Sequence, residues 1–433
     1  MPRLPSLPRV PLVPDPLRRI DVAGDLAAVT TIGAEEPAAS GGYDDEAVER
    51  MWRAGVDLYR SGVHPALALC VRRHGHVILD RAIGHARGNG PGDDESAPKQ
   101  AATPETPFCI FSASKAMTAI VTLLLEERGA LSIEDRVTDH IPGYARHGKD
   151  DITIAHVLSH RAGVAGMPRE AFDLDRLGDR EFIVETICDA KPNYKPGQML
   201  AYHAVSGGYI LGEIVHRVTG KDIRAVFAEE VLDPLGFRWS NYGVAPSDVD
   251  AVGLDYVTGP RLLPPLSTIV TRALGAPLDQ VVDGANDPRF RTAIIPAANV
   301  VTTSNELSRF FELLRCGGEL DRTRVMKPET VRRALTEQSH LEVDLSLGFP
   351  TRFGYGLMLG ADIVSLFGRD TDMAFGHLGL INIMGWADPE RGISAGLITS
   401  GKAVVYPELH RFLGVISRVT SESPKLPESE RAL

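Results

Sequence analysis

The chain has 433 residues, 43% of them hydrophobic, enough to bury a large core; this excludes a small binding module and leaves one large catalytic unit or two to three domains. Lys and Arg number 46 against 57 Asp and Glu, a formal net charge of -11, and no Lys/Arg-rich run stands out, so nucleic acid is not an expected partner. Prolines break the apolar residues at the N-terminus, leaving no h-region for a signal peptide, and no stretch reaches the roughly 18 uninterrupted apolar residues of a membrane-spanning helix. The expected compartment is the cytoplasm. Cys70, Cys109, Cys188 and Cys316 are far apart, without metal or redox spacing. They read as buried, reduced thiols, and no metal or other cofactor is expected.

Residues 1–43 are Pro-, Ala- and Gly-rich with weak periodicity and read as an extended or disordered arm. Residues 44–59 carry Val48, Met51, Trp52, Val56 and Leu58 at helical spacing, and residues 66–71 and 76–82 read as a β-hairpin around Arg73-His74-Gly75. A polar loop over 84–104 leads to an amphipathic helix over 112–128, closed by Gly129. Residues 151–230 read as several helices, and 353–358, 381–387 and 393–399 as strands. The last two strands are joined by the turn Asp388-Pro389-Glu390-Arg391-Gly392. Strands at both ends with helices between them predict an α/β domain over 44–420, its sheet built from about 44–110 and 300–420 and a mainly helical subdomain inserted at about 111–299. Residues 421–433 read as a flexible tail.

The chemistry concentrates in three places. Ser112 and Lys115 lie three apart at a helix start, so both can face one cleft, and an apolar surround from Phe108 to Phe111 would depress the lysine pKa. Such a tetrapeptide is common by chance and gains weight only from its context. Tyr202 follows the turn Lys195-Pro196-Gly197; to take a proton from serine near neutral pH its phenol needs about 4 kcal/mol of stabilisation, part of it from a cationic lysine. Phe375-Gly376-His377-Leu378-Gly379-Leu380 precedes a strand, where glycine admits a substrate close to the backbone and an N–H can serve an oxyanion. Ser206 in Ala204-Val205-Ser206-Gly207-Gly208 imitates a nucleophile elbow but lacks the strand before it that such an elbow needs. His156 and His160 read as helix and turn packing.

In this order, Ser112-x-x-Lys115, Tyr202 and His377-x-Gly379 resemble the three motifs of the serine β-lactamase-like hydrolases: class C β-lactamases, DD-peptidases and especially family VIII carboxylesterases. Residues 131–137 (LSIEDRV), 152–164 (ITIAHVLSHRAGV), 202–213 (YHAVSGGYILGE), 295–299 (IPAAN) and 385–390 (GWADPE) are similar as well, and the likeness spans roughly 44–418. It implies a β-lactamase/transpeptidase-like fold, an antiparallel sheet flanked by helices. It further implies Ser112 as nucleophile, Lys115 and Tyr202 as its proton-handling partners, the backbone N–H groups of Ser112 and Leu380 as oxyanion hole, and His377, Gly379 and Asn299 as substrate contacts.

Two departures bear on the substrate. The tyrosine motif has Ala204 where lactamases carry an asparagine, and His377 stands where they carry the lysine that meets a substrate carboxylate. Both favour a neutral small-molecule ester over an anionic lactam. Leu378, Leu380 and Ile381, at positions where many esterase members have glycine, give the site a bulkier wall. A carboxylesterase for short- to medium-chain esters, with slight β-lactam hydrolysis as a side activity, is therefore the leading expectation; a β-lactamase or D-amino-acid peptidase and a catalytically silent scaffold are the alternatives.

Overall fold

A computed structural model of the chain describes residues 15–94, 96–406 and 409–431. Its main sheet has nine strands in one path: β1 (Thr30–Ile32), β2 (Ala66–Arg73), β3 (His76–Arg87), β4 (Ser339–Val343), β5 (Pro350–Phe353), β6 (Met358–Leu359), β7 (Phe375–Gly379), β8 (Ile383–Asp388) and β9 (Ile393–Thr399). The spatial order is β1-β3-β2-β9-β8-β7-β6-β5-β4, and every pairing is antiparallel. Chain ends far apart in sequence thus meet at the β2–β9 junction, where Ile393 to Thr399 pair with Arg73 to Leu67.

Side chains alternate across the sheet. Leu67, Leu69 and Val71 of β2 face α1 (Asp45–Tyr59) and the C-terminal helix spanning Leu409–Glu422, packing with Met51, Trp52, Val415 and Val419. Ala66 and Ala68 face the opposite core, which holds the helix Ser304–Arg315 and the helical region. Small residues let that helix lie close to the sheet: a Cβ on Gly385 would come within 2.3 Å of the Phe311 ring, and one on Gly396 within 2.4 Å of the Ser304 carbonyl. Helix α1 starts where Asp44 caps it, its carboxylate accepting from the Ala47 N–H at 2.6 Å. Between sheet and helical region lies α2 (Ser114–Glu127), and a small sheet pairs Phe108–Cys109 and Asn241–Tyr242 with Val300–Thr302.

Several elements differ from the sequence expectation. Residues 353–358 are not one strand: Phe353 pairs with Met358 across a turn, because Gly354 and Gly356 supply the reversal. Ile381 does not begin a strand; it sits at φ +40°, followed by Asn382 at +71°, and β8 starts at Ile383. The hairpin strand β3 runs on to Arg87, into the stretch expected to be loop, and pairs with Gln100–Ala101. Helix α2 is not amphipathic but buried on all sides from Ser114 to Leu125. Residues 1–14 of the expected arm lie outside the described residues; the rest is docked, with β1 pairing β3 and Ile20 and Tyr43 in the core. The expected tail is docked too, through Leu426 N–H to the Glu390 carbonyl at 2.7 Å and Arg431 to the Glu390 carboxylate at 2.7 Å. Cys70, Cys109 and Cys188 are buried and unpaired as free thiols, whereas Cys316 is only half-buried.

Candidate active site

Ser112 lies in a short 3-10 turn, Phe111–Ala113, that leads into α2. Residues three apart eclipse in such a turn, which sets Lys115 beside Ser112. Phe111 takes φ +47°, a left-handed conformation that costs a non-glycine residue, so the Ser112 hydroxyl is presented from a strained backbone. Pairing of Ile110 N–H with the Val300 carbonyl at 2.9 Å fixes the approach.

Lys115 Nζ is 3.3 Å from Ser112 Oγ and donates to the carbonyls of Ala204 at 2.7 Å and Ala297 at 3.0 Å. Burial in the all-round packed helix lowers its pKa to about 7. A neutral amine has two N–H groups and one lone pair; with both carbonyls taking a hydrogen, the lone pair is free for the serine proton. The IPAAN segment thus contributes a carbonyl, that of Ala297, which sequence reasoning did not single out.

Ser112 acts on the Tyr202 phenol as a side-chain hydrogen-bond partner, and the tyrosine ring lies 4.8 Å from Lys115 Nζ. Burial pushes the phenol pKa upward, and the Asp344 charge adds to the rise, although the Ser112 hydrogen bond opposes it. The expectation of a lysine-stabilised phenolate therefore gives way: lysine, not tyrosine, titrates near neutrality. Tyr202 is held at its backbone by Asp344, whose Oδ1 accepts its N–H at 3.1 Å, and at its ring by His160, 4.6 Å away between centroids. His160 is more than turn packing. Its Nδ1 accepts from the His203 N–H at 3.3 Å, tying the tyrosine loop to residues 152–164.

The remaining residues predicted from sequence fall in three places. Leu380 lines the same cavity as Ser112. His377 does not line it: the side chain is 1% exposed, donates from Nδ1 to the Leu378 carbonyl at 2.8 Å, and packs 6.4 Å from the Tyr202 ring. Burial, with Lys115 adding to it, drops its pKa to about 3, so it is a neutral imidazole. Asn299 is also no substrate contact; fully buried, it donates to the carbonyls of Phe290 at 3.0 Å and Ala293 at 2.8 Å and accepts from Ile295 N–H at 2.9 Å. Gly379 is small for packing rather than for substrate, since a Cβ would stand 2.5 Å from the Ile110 carbonyl oxygen. Ser206 is no nucleophile either, donating from a buried hydroxyl to the Val164 carbonyl at 2.6 Å, and His156 closes a capping box with Thr153.

The cavity over Ser112 has a volume of about 480 Å³ and mostly apolar walls, including Leu174, Val205, Leu274, Phe290, Ile295 and Leu380. Asp173 is the single charged side chain among the described residues that line it. A lysine with a pKa near 7 beside a serine hydroxyl, below a dry pocket, is an arrangement for acyl transfer.

An antiparallel sheet with an inserted helical region, and a serine, lysine and tyrosine meeting at one site, define a serine hydrolase of the β-lactamase/transpeptidase-like fold. The profile of the Beta-lactamase family matches residues 45–412, and the chain belongs to that family. It is 30% identical over 347 residues to "Esterase/beta-lactamase LipL" of Mycobacterium tuberculosis (strain ATCC 25618 / H37Rv), covering 76% of each protein. Among solved structures it is similar to a penicillin-binding protein homolog from Caulobacter crescentus (TM-score 0.74, 24% identity, covering 88% of this chain and 99% of that one). It is likewise similar to a family VIII carboxylesterase (TM-score 0.73, 25% identity, 87% and 98%). No helix among the described residues is long and apolar enough to cross a membrane.

Proposed function

We propose that the chain is a carboxylesterase that hydrolyses short- to medium-chain esters through an acyl-enzyme on Ser112. The observation that carries this reading is a serine hydroxyl 3.3 Å from a lysine amine of pKa about 7, beneath a cavity with no cationic side chain among the described residues that line it. Ser112 Oγ attacks the ester carbonyl carbon while its proton passes to Lys115 Nζ. The oxyanion meets the backbone N–H groups of Ser112 and Leu380, donors each worth a few kcal/mol in a dry site. Collapse breaks the carbon–oxygen bond of the alcohol, which leaves with the Lys115 proton relayed by the Tyr202 hydroxyl. Water then attacks the acyl group, its proton again taken by Lys115, and Ser112 is re-protonated as the carboxylic acid departs.

The neutral, buried His377 supports an ester over a lactam, because among the described residues of the cavity wall no cation is placed to meet a lactam carboxylate. The name of one structural neighbour, a family VIII carboxylesterase, points the same way, while the relative from Mycobacterium tuberculosis is named for both esterase and β-lactamase. The test is turnover of p-nitrophenyl acetate and butyrate beside nitrocefin, with Ser112→Ala as control. Ester turnover that vanishes in Ser112→Ala is expected. Rapid nitrocefin turnover with weak esterase activity would move the reading to a β-lactamase, and full activity in Ser112→Ala would remove Ser112 from it.

A further inference from the structure

Tyr209 and Leu177 are the two described residues common to the walls of the catalytic cavity and of a second cavity of about 370 Å³. Tyr209 sits in the helix Ser206–Thr219, one turn beyond the tyrosine loop, and Leu177 in the loop before the helix Arg180–Asp189. The second cavity has an apolar floor formed by Leu177, Ile183, Val184, Ile223, Ile294 and Pro296. Charged groups at its margin are already matched. Glu213 accepts from Arg180 at 2.7 and 2.8 Å and from Arg217 at 2.6 Å, and Arg224 donates to the carbonyls of Thr292 at 2.8 Å and Ala293 at 2.9 Å. Asp222, which caps a helix through the Ala225 N–H at 2.8 Å, and His216 also line the cavity, and the rest of the surface left to a ligand is mostly hydrocarbon.

At the boundary stands one unmatched polar atom. The Tyr209 side chain is buried, and its hydroxyl has no hydrogen-bond partner among the described residues. Buried phenols ordinarily have one. Each cavity is also within the size range of a pocket that encloses a small ligand.

We propose that the substrate site is bipartite. The chain of an ester held at Ser112 runs past Leu177 and Tyr209 into the second cavity, and the Tyr209 hydroxyl hydrogen-bonds to an oxygen carried on that chain. The favoured substrates are then long-chain esters bearing a hydroxyl group toward the tail. This rests on the esterase reading above and extends it beyond medium chain lengths.

The test compares kcat/KM for p-nitrophenyl butyrate, dodecanoate and a dodecanoate hydroxylated toward its tail. Wild type is expected to prefer the hydroxylated ester over the plain dodecanoate by about tenfold, the effect of one buried hydrogen bond. Tyr209→Phe keeps the ring and should bring that ratio to about one. Val184→Trp fills the second cavity and should lower the dodecanoate-to-butyrate ratio about tenfold. Ratios unchanged in both variants would overturn the proposal. If wild type cleaves no p-nitrophenyl ester, the esterase reading fails separately. The bipartite site is then read from binding of the uncleavable hydroxydodecanamide: a tenfold weaker Kd in Tyr209→Phe supports it, and equal Kd values overturn it.

Discussion

Lowering the pH should silence this enzyme through Lys115 alone. Its amine is held at about 7 by burial, and only the neutral form can take the Ser112 proton. About half the molecules are competent at pH 7 and roughly one in a hundred at pH 5, so kcat/KM should fall about tenfold per unit on the acid side. Other groups around the site stay out of this window: burial holds His377 at about 3, His203 at about 4 and His160 well below its usual value. Folding stability should show the same group with a definite sign. From the ordinary lysine value of 10.5 down to about 7 the unfolded chain holds a proton that the folded one lacks, so this contribution to stability grows as pH rises through that window. Below about 7 both states are protonated and it no longer varies. The assay is kcat/KM for p-nitrophenyl butyrate against pH, together with urea midpoints of wild type and Lys115→Met across pH 7 to 10. A flat kcat/KM profile from pH 8 to 5.5, or identical pH slopes of stability in the two proteins, would refute the assignment.

Tyr202→Phe keeps the ring against His160 and deletes the hydroxyl facing Ser112, so kcat should fall about 10²- to 10⁴-fold with little change in KM or Tm. Gly379→Ala puts a Cβ 2.5 Å from the Ile110 carbonyl and 2.8 Å from Ile383 Cβ; about 1–3 kcal/mol of stability and at least tenfold in kcat should be lost together, measured by denaturant melts and steady-state rates. Asn299→Leu strands the Phe290 carbonyl and the Ile295 N–H, while Arg224 still serves the Ala293 carbonyl, so urea melts should show a loss of about 2–5 kcal/mol in unfolding free energy, with KM unchanged in the protein that remains folded. A raised KM with wild-type stability would restore Asn299 as a substrate contact. His377→Lys should lower Tm without creating nitrocefin turnover, because the side chain it replaces is 1% exposed and faces no cavity that holds a substrate.

The regular strand over Ile393–Thr399 and the helix over Asp45–Tyr59 were readable because apolar periodicity and a turn or cap marked their ends. Around Phe353 and Ile381 the same reading failed for identifiable reasons. Aromatic and aliphatic residues from 353 to 358 hide a reversal made by two glycines, and Ile381, a β-branched residue with every preference for a strand, is forced to φ +40°. Tertiary partners impose that conformation: Asn382 donates to the Ala403 carbonyl at 3.1 Å, accepts from the Tyr406 hydroxyl at 3.0 Å, and its carbonyl accepts from Thr399 Oγ1 at 2.8 Å. None of these contacts is local in sequence. Ser112, Lys115 and Tyr202 could be picked out because three ordered motifs agreed, whereas Asn299 and His377 were recognisable as special residues with the wrong task. The Asn299 side chain is spent on backbone groups of the preceding segment and His377 Nδ1 on the carbonyl of Leu378 next to it, and only packing reveals which way a polar side chain points.

One physical quantity, the burial around α2, bears on the roles of three ionisable groups near Ser112. Burial disfavours charge on each, yet its consequences differ with the sign of that charge. For Lys115 the neutral form is the base, so desolvation turns a surface cation into a proton acceptor at about pH 7. For Tyr202 the neutral form is the donor, so the same desolvation removes it as a base and leaves it as a hydrogen-bond relay. For His377 the neutral form is inert toward anions, which takes away the carboxylate partner that an anionic lactam would require. A site that gained a cation at His377 would also repel the proton from Lys115 and lower its pKa further, weakening the base that takes the Ser112 proton. On the proposed esterase reading, ester turnover at this site and poor recognition of anionic substrates are coupled, and a variant selected for a carboxylate partner should place it on the open cavity wall rather than at position 377.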